Sequence, residues 1–150
     1  FMNGAIHGRG VMLFANEDKY EGEFRQGVME GKGTLVFSSG DKYEGEFLNG
    51  EFQGQGKIYF RNQDSYSGGF KNGVIEGVGV YAYADGNRYE GDFKNGVKEG
   101  KGMLLFADGD RYDGEFKGGD FYGKGIFTYT ESGKEDVVRG SWVNGEFVED

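Results

Sequence analysis

One glycine-rich segment of the sequence approaches a phosphate-binding loop. Gly118, Gly123 and Lys124 have the spacing of the motif whose backbone N–H groups cradle phosphate. That motif next requires Ser or Thr to hold magnesium, and this chain has Gly125 there. The segment also lies at a boundary between β-hairpins and not ahead of a helix. We therefore expect no nucleotide site here.

Three aspartates suggest a calcium loop but do not complete one. Asp108, Asp110 and Asp113 have the early spacing of such a loop, in which glycine is needed at the sixth position and glutamate at the last. Here the sixth position is Asp113 itself, and the last is Gly119. An aspartate-rich turn is the interpretation that we favour, and we expect no metal site.

The residues needed for nucleophilic or acid–base catalysis are nearly absent. The chain has no cysteine, and His7 is its one histidine. His7 stands a multiple of 23 residues before Glu30, Glu76 and Glu99, which indicates an exposed connector position. Paired carboxylates such as Glu21 and Glu23 recur along the chain, as on a solvated face, whereas a catalytic pair is unique. The sequence therefore predicts no enzyme, no cofactor and no small-molecule substrate.

The spacing of the aromatic residues reveals a repeat. Five tyrosines lie 23 residues apart, and each is followed four residues later by phenylalanine. We call this set the aromatic ladder: Tyr20, Phe24, Tyr43, Phe47, Tyr66, Phe70, Tyr89, Phe93, Tyr112 and Phe116. A Gly-x-Gly pair also recurs without a gap, from Gly8/Gly10 to Gly123/Gly125. Such regularity is typical of a repeat protein.

Both ends of the array depart from the pattern. The last phrase, Val138 to Trp142, starts 26 residues after Tyr112, so that three residues are inserted near Glu131 to Asp136. Phe1 stands 23 residues before Phe24, so the chain opens in mid-repeat, and we expect a fragment of a longer array. We divide the single array, 1–150, into a partial repeat and six hairpins, the last one deviant: 1–4, 5–27, 28–50, 51–73, 74–96, 97–119 and 120–150.

Within each repeat, apolar residues alternate with period two, which favours strands over helices. Gly40 followed by Asp41 is typical of a turn in which a residue has positive φ. We expect residues 27–30 to connect one hairpin to the next. Because successive side chains of a strand point to opposite faces of a sheet, we expect Leu35 and Tyr43 on one face together with the repeat's glycines, and the charged residues on the other face. The predicted fold is all-β: one elongated, twisted antiparallel sheet of about six tandem hairpins.

Composition narrows the range of functions. Glycine makes up 31 of the 150 residues, proline is absent, aromatic residues reach 17% and the formal net charge is -9. Abundant aromatics argue against disorder, and the acidic balance disfavours nucleic acid as a partner. No apolar run approaches the roughly 20 residues that span a bilayer, and no signal-peptide pattern is present. We expect an intracellular, cytoplasmic protein.

These phrases resemble the MORN repeat (membrane occupation and recognition nexus), whose pattern is Tyr-x-Gly-x-Trp/Phe, then Gly, then Gly-x-Gly. The resemblance extends over essentially all of residues 1–150, although Phe replaces Trp in most units and Val138 replaces Tyr in the last. It implies an elongated β-sheet scaffold at cytoskeletal or membrane-linked structures, or a non-catalytic module of a larger enzyme. Protein docking, self-association and phosphoinositide binding are the roles that it implies.

The aromatic ladder admits two interpretations, which can coexist. It forms the core between repeats, or, with Trp142, it lines a groove that binds apolar side chains of a partner protein or of a second copy in a homodimer. The alternative function is binding of an anionic phospholipid head group by Lys71, Lys94 and Lys117, which follow the ladder phenylalanines. Acidic neighbours favour a solvated face for these lysines over a head-group site.

Overall fold

The computed structural model describes residues 7–149, and every regular element in that range is a β-strand. The chain forms two compact units, Phe1–Val74 and Ile75–Asp150. Within the described range no helix is long and apolar enough to cross a membrane. The predictions of an all-β fold and of tandem hairpins are confirmed.

The first unit is an open antiparallel sheet of six strands, in which each strand pairs with the next one along the chain. The strands are β1 (Gly8–Leu13), β2 (Lys19–Arg25), β3 (Val28–Val36), β4 (Lys42–Leu48), β5 (Glu51–Tyr59) and β6 (Ser65–Lys71).

The second unit follows the same plan, and its strands also pair in chain order. They are β7 (Val74–Ala82, which begins with the last residue of the first unit), β8 (Arg88–Lys94), β9 (Val97–Leu105), β10 (Arg111–Lys117), β11 (Asp120–Glu131), β12 (Lys134–Val143) and β13 (Glu146–Glu149).

A line of paired glycines runs across the strands of each unit, and we call it the glycine seam. In the first unit the register joins Gly10, Gly22, Gly33, Gly45, Gly56 and Gly68. In the second it joins Gly79, Gly91, Gly102, Gly114, Gly125 and Gly140. Each glycine therefore faces another glycine on the neighbouring strand, which leaves a strip of backbone without side chains.

The two glycines of a Gly-x-Gly pair have different tasks. Gly33 lies in the seam, whereas Gly31 sits at a β-bulge with φ of 74°. The carboxylate of Glu23 accepts the N–H of Lys32 at 2.7 Å, which satisfies the backbone group between the two glycines. Glu46 and Glu115 accept the corresponding N–H groups at 2.8 and 3.0 Å. The bulge recurs between β4 and β5, between β8 and β9 and between β10 and β11, because glycine tolerates positive φ there.

Two kinds of turn alternate along the chain. The longer turn spans Phe37 to Asp41, and Gly40 has φ of 103°, as the Gly-Asp pattern predicted. The shorter turn has two residues, both at positive φ, as in Asn49 at 52° and Gly50 at 82°. This is the backbone of a type I′ hairpin turn. The connector expected at residues 27–30 is wrong in part, because Val28 to Glu30 already belong to β3.

The short turn after β4 is held by the first residues of β3, and the turns after β6, β8, β10 and β12 are held in the same way by β5, β7, β9 and β11. The N–H of Gly50 donates to the carbonyl of Met29 at 3.0 Å, and the N–H of Asn49 donates to the Glu30 carboxylate at 2.9 Å. The same backbone bond recurs from Gly73, Gly96, Gly119 and Gly145. Glu30, which aligns with His7, therefore ties the start of β3 to the turn that follows β4 and is not a free connector residue.

The last hairpin is lengthened at its turn. β11 and β12 continue their pairing to Glu131↔Lys134, and a two-residue turn of Ser132 and Gly133, both at positive φ, joins them. The three inserted residues therefore replace the longer turn of the other repeats with a type I′ turn. Gly125↔Gly140 still pair, so the insertion leaves the glycine seam intact.

Candidate functional site

The tyrosines of the aromatic ladder lie over the glycine seam. A Cβ atom placed on Gly33 would collide with the ring and hydroxyl of Tyr20, and one on Gly56 would collide with Tyr43. The Tyr20 hydroxyl donates to the carbonyl of Glu23 at 2.8 Å. The other four tyrosines make the same bond three residues ahead, at 2.7 to 3.0 Å. Glycine is thus required beneath the rings of Tyr20, Tyr43, Tyr89 and Tyr112, and all five tyrosine hydroxyls donate to a carbonyl of their own strand.

The ladder phenylalanines pack edge-on against the tyrosine of their own repeat, and Phe47, Phe70 and Phe116 also pack against the tyrosine of the preceding repeat. Tyr20 contacts Phe24 and Phe47, each with ring centroids 5.0 Å apart. Tyr89 contacts Phe93 and Phe116 in the same manner, at 5.0 and 4.9 Å. These T-shaped contacts connect neighbouring repeats within each unit.

Trp142 takes the phenylalanine position in the deviant last repeat. Its ring packs edge-on against Tyr112 with centroids 5.5 Å apart, as a ladder phenylalanine would. Its Nε1–H is buried and has no hydrogen-bond partner among the described residues. The larger indole therefore fits the ladder but leaves one donor unsatisfied.

Burial places the whole ladder in the core. Its tyrosines are at most 1% exposed, its phenylalanines at most 6%, and Trp142 is 8% exposed. The core interpretation therefore has direct support. Docking of a partner on these rings stays a prediction, and it would require side chains that are now covered to become accessible.

Two further rows of half-buried residues lie on the ladder face, and they supply its accessible apolar surface. The stacking row is named for its contacts with ladder tyrosines and consists of Met29, Phe52, Ile75, Lys98 and Phe121. Phe52 stacks on Tyr43 with centroids 3.8 Å apart, and Phe121 stacks on Tyr112 at 3.9 Å. The open row consists of Phe14, Phe37, Phe60, Tyr83, Phe106 and Tyr129.

Neither row was predicted as a binding surface from the sequence. The open row is visible in the sequence as an aromatic residue four positions beyond each Gly-x-Gly pair. The stacking row has a signal too, because each member stands two residues after a turn glycine, as Phe52 follows Gly50.

Burial suppresses ionisation of the ladder tyrosines. Desolvation raises the pKa of Tyr66 to about 12. Desolvation also raises the pKa of Tyr43 above its ordinary value, and the nearby Glu46 carboxylate adds to the effect. The pKa of Tyr89 is raised likewise, by desolvation first and then by Asp92. The ladder phenols are therefore neutral hydrogen-bond donors over the whole neutral range.

The carboxylates of the structure serve mainly to hold turns and bulges. Asp41 accepts the N–H of Arg61 from the next turn at 2.8 Å, as Asp18 does for Ser38. Asp110 accepts the N–H of Thr130 at 3.4 Å, and the carboxylate of Asp108 accepts the N–H of Asp110. In residues 7–149 no group of three or more His, Cys, Asp or Glu is placed to hold a metal ion.

The phosphate-loop motif has no structural counterpart in this fold. Gly118 and Gly119 form the two-residue turn between β10 and β11, and Lys124 lies within β11. A strand and not a helix follows the glycines, so the helix N-terminus that would bind phosphate is missing from this segment.

The three lysines proposed for a lipid head group are exposed at the ends of β6, β8 and β10. Lys117 lies over the ring of Tyr122 at 5.0 Å from its centroid. Arg25 and Leu48 hold the equivalent positions in the earlier repeats, so the basic row is interrupted. Accessibility is thus established for these lysines, and lipid binding stays a prediction.

The sequence profile of the MORN repeat matches six consecutive segments of the chain, residues 1–19, 20–42, 43–65, 66–88, 89–111 and 112–134. Each full segment begins at a ladder tyrosine, which shifts the frame relative to the hairpins but keeps the period. No curated protein matches the chain.

Proposed function

Because the chain belongs to the MORN-repeat family, we propose that it is a non-catalytic scaffold whose ladder face docks an apolar segment of a partner protein. MORN repeats are in general protein or membrane interaction modules and a non-catalytic type of repeat. Membership of the family does not by itself specify the partner or the location in the cell.

The observation that carries the proposal is the asymmetry of the sheet faces. The ladder face keeps half-buried aromatics in the open and stacking rows, while the opposite face mixes ion pairs such as Lys42–Glu44 at 3.0 Å with exposed apolar side chains such as Val36 and Leu105. Half-exposed rings on a rigid sheet supply apolar contact area at little entropic cost, since the rings are already packed. An apolar segment can cover them without unfolding the core.

Adjacent residues on opposite faces provide a matched test. Phe106 belongs to the open row, and its neighbour Leu105 is 37% exposed on the charged face. We would pan a random peptide library against the wild-type chain, Phe106→Glu and Leu105→Glu. Apolar peptides retained by wild type and Leu105→Glu, but lost with Phe106→Glu, would support docking on the ladder face. Equal retention by all three chains would overturn it.

Self-association is a second part of the proposal, with another copy of the chain as the partner. Phe37 and Val36 repeat the matched pair in the first unit, with Val36 40% exposed. Light scattering over a concentration series should show a dimer that Phe37→Glu weakens and Val36→Glu does not. A monomer at all concentrations would remove self-association from the proposal.

For location we propose cytoskeletal or membrane-linked structures in the cytoplasm. The phospholipid alternative is supported by the exposure of Lys71, Lys94 and Lys117, and opposed by the net charge of -9. Each lysine near an anionic surface adds only about 1 kcal/mol. Co-sedimentation with phosphoinositide vesicles at physiological salt tests this alternative. Binding that a Lys71/Lys94/Lys117 triple alanine variant abolishes would favour it over protein docking.

A further inference from the structure

Two consecutive repeats of the second unit carry three polar departures on the otherwise apolar ladder face. Tyr81 stands where other repeats have Met12, Leu35, Ile58, Leu104 or Phe127. Tyr83 stands where most repeats have phenylalanine, and Lys98 is the one cation of the stacking row. Lys98 lies 15 positions after Tyr83 and belongs to the next repeat, so a connection between the three departures depends on where the fold places them.

The fold brings these departures together. The Lys98 ammonium donates to the Tyr83 hydroxyl at 2.7 Å. It lies 5.2 Å from the centroid of the Tyr83 ring and 5.8 Å from that of Tyr89. The rings of Tyr81 and Tyr83 are 4.6 Å apart. A half-buried cation therefore lies among tyrosine rings on a face built for apolar contact.

The Lys98 ammonium and the Tyr83 hydroxyl have donor hydrogens beyond the one used in the hydrogen bond that joins them. A lysine ammonium has three N–H donors, and the Tyr83 hydroxyl, which accepts one of them, still has its own O–H to donate. Within residues 7–149 the ion pairs join Lys42 to Glu44, Arg88 to Glu90 and Arg111 to Asp113, and Lys98 contacts no carboxylate. The ammonium donors of Lys98 and the hydroxyl donor of Tyr83 therefore lie side by side, and no carboxylate among the described residues forms an ion pair with Lys98.

We propose that Lys98 and Tyr83 select a partner segment that carries a carboxylate between apolar side chains. The carboxylate accepts hydrogen bonds from the Lys98 ammonium and the Tyr83 hydroxyl, while the flanking apolar residues cover Tyr81 and Phe106. Lys98 is then the residue that sets the register of the bound segment. This inference rests on the proposed function, because it requires docking on the ladder face.

Charge complementarity favours a carboxylate over a phosphate. One cation balances one negative charge, whereas a phosphate monoester carries about -1.5 to -2 and is generally held by clustered arginines. The acidic chain, with net charge -9, adds repulsion that grows with the charge of the ligand. The surrounding tyrosine rings suit the apolar side chains of a peptide better than they suit a hydrated dianion.

The test compares the peptides selected from a random library by the wild-type chain, Lys98→Met and Lys98→Glu. Methionine is the residue that the stacking row has at Met29, so Lys98→Met preserves the packing of the row. Lys101→Met is the matched control, since it removes one charge at an exposed position outside the row. Peptides from wild type and Lys101→Met should be enriched in Asp or Glu flanked by apolar residues, and Lys98→Met should lose the acidic preference alone.

A synthetic pair of the best peptide, with Glu or with Gln at the selected position, makes the result quantitative by fluorescence anisotropy. Wild type should bind the Glu peptide about tenfold tighter than the Gln peptide, since a hydrogen bond to a charged group is worth about 1.5 kcal/mol or more. Tyr83→Phe should reduce this ratio, and Lys98→Met should abolish it.

The outcomes separate the two levels of the proposal. Apolar peptides selected equally by wild type and Lys98→Met, with no acidic preference, would overturn the role of Lys98 and leave ladder-face docking in place. Selection that Phe106→Glu does not weaken would overturn docking itself. Peptides with a basic residue from Lys98→Glu would give independent support, because reversal of the charge should reverse the preference.

Discussion

The ring of Tyr43 occupies the space above Gly56, which lies on the next strand and pairs with Gly45. No side chain can be added at Gly56 without displacing the ring. The hydroxyl at the end of that ring donates to the carbonyl of Glu46 at 2.7 Å. One tyrosine therefore depends on a glycine of the neighbouring strand for space and on its own strand for a hydrogen-bond acceptor.

A methyl group added to the seam should be strongly destabilising. Gly56→Ala forces the Tyr43 ring from its position, and overpacking of this kind costs about 1–3 kcal/mol. Urea denaturation should show the loss as a lower midpoint with an unchanged slope. Gly109→Asn is the control, since Gly109 has open space and Glu17 and Gln63 hold the equivalent turn positions at positive φ. Equal loss from both variants would contradict the steric role of the seam.

Removal of one buried hydroxyl should cost less than disruption of the seam. Tyr43→Phe keeps the ring but leaves the carbonyl of Glu46 without its donor, a loss of about 1 kcal/mol. Tyr59→Phe is the matched control, because Tyr59 is 42% exposed. Thermal and urea unfolding of the two variants would check the difference. If Tyr43→Phe is as stable as Tyr59→Phe, the hydroxyl contributes no net stability.

The raised pKa of the ladder tyrosines predicts instability in alkali. Burial raises the folded pKa of Tyr66 to about 12, above the unfolded value of 10. Its stabilising contribution is therefore complete below pH 10 and is lost as the pH rises toward 12. Absorbance at the tyrosinate band should rise together with loss of the β-sheet circular dichroism signal. Ionisation of the ladder tyrosines well before unfolding would show that they are accessible to hydroxide.

Trp142 should tolerate replacement by the ladder's usual residue. Trp142→Phe removes a buried N–H that has no partner among the described residues and retains an aromatic ring against Tyr112. The cavity left by the smaller ring lowers the free energy of unfolding, whereas removal of an unsatisfied buried N–H raises it. We therefore expect the free energy of unfolding to change by no more than about 1 kcal/mol. Trp142→Ala should cost about 3–5 kcal/mol because it opens the core. A Phe variant as unstable as the Ala variant would indicate a contact specific to the indole.

The period, the hairpins and the division into two faces could be predicted from the sequence because each depends on local alternation. The different tasks of Gly31 and Gly33 could not, since both are glycine and only the pairing with β2 separates a bulge from the seam. The hydrogen bond from the Asn49 N–H to Glu30 was missed for a related reason, because it joins residues 19 positions apart in the sequence.

The candidate site was predicted less completely than the fold. The ladder was identified residue by residue, but its burial depends on Phe47 packing against Tyr20 from the next repeat. Parity alone places Tyr20 on a face and does not say what covers it. The accessible surface of that face belongs to the stacking and open rows, whose exposure follows from the rings beneath them.

The glycine seam limits how such a chain can change in length. A residue gained or lost within a strand would shift the rest of that strand by one position and move a side chain into the seam, under a tyrosine that leaves no room for it. The array can therefore grow or shrink by duplication or loss of a complete 23-residue unit. Shorter changes are confined to the hairpin ends, which is where the last repeat carries its three additional residues.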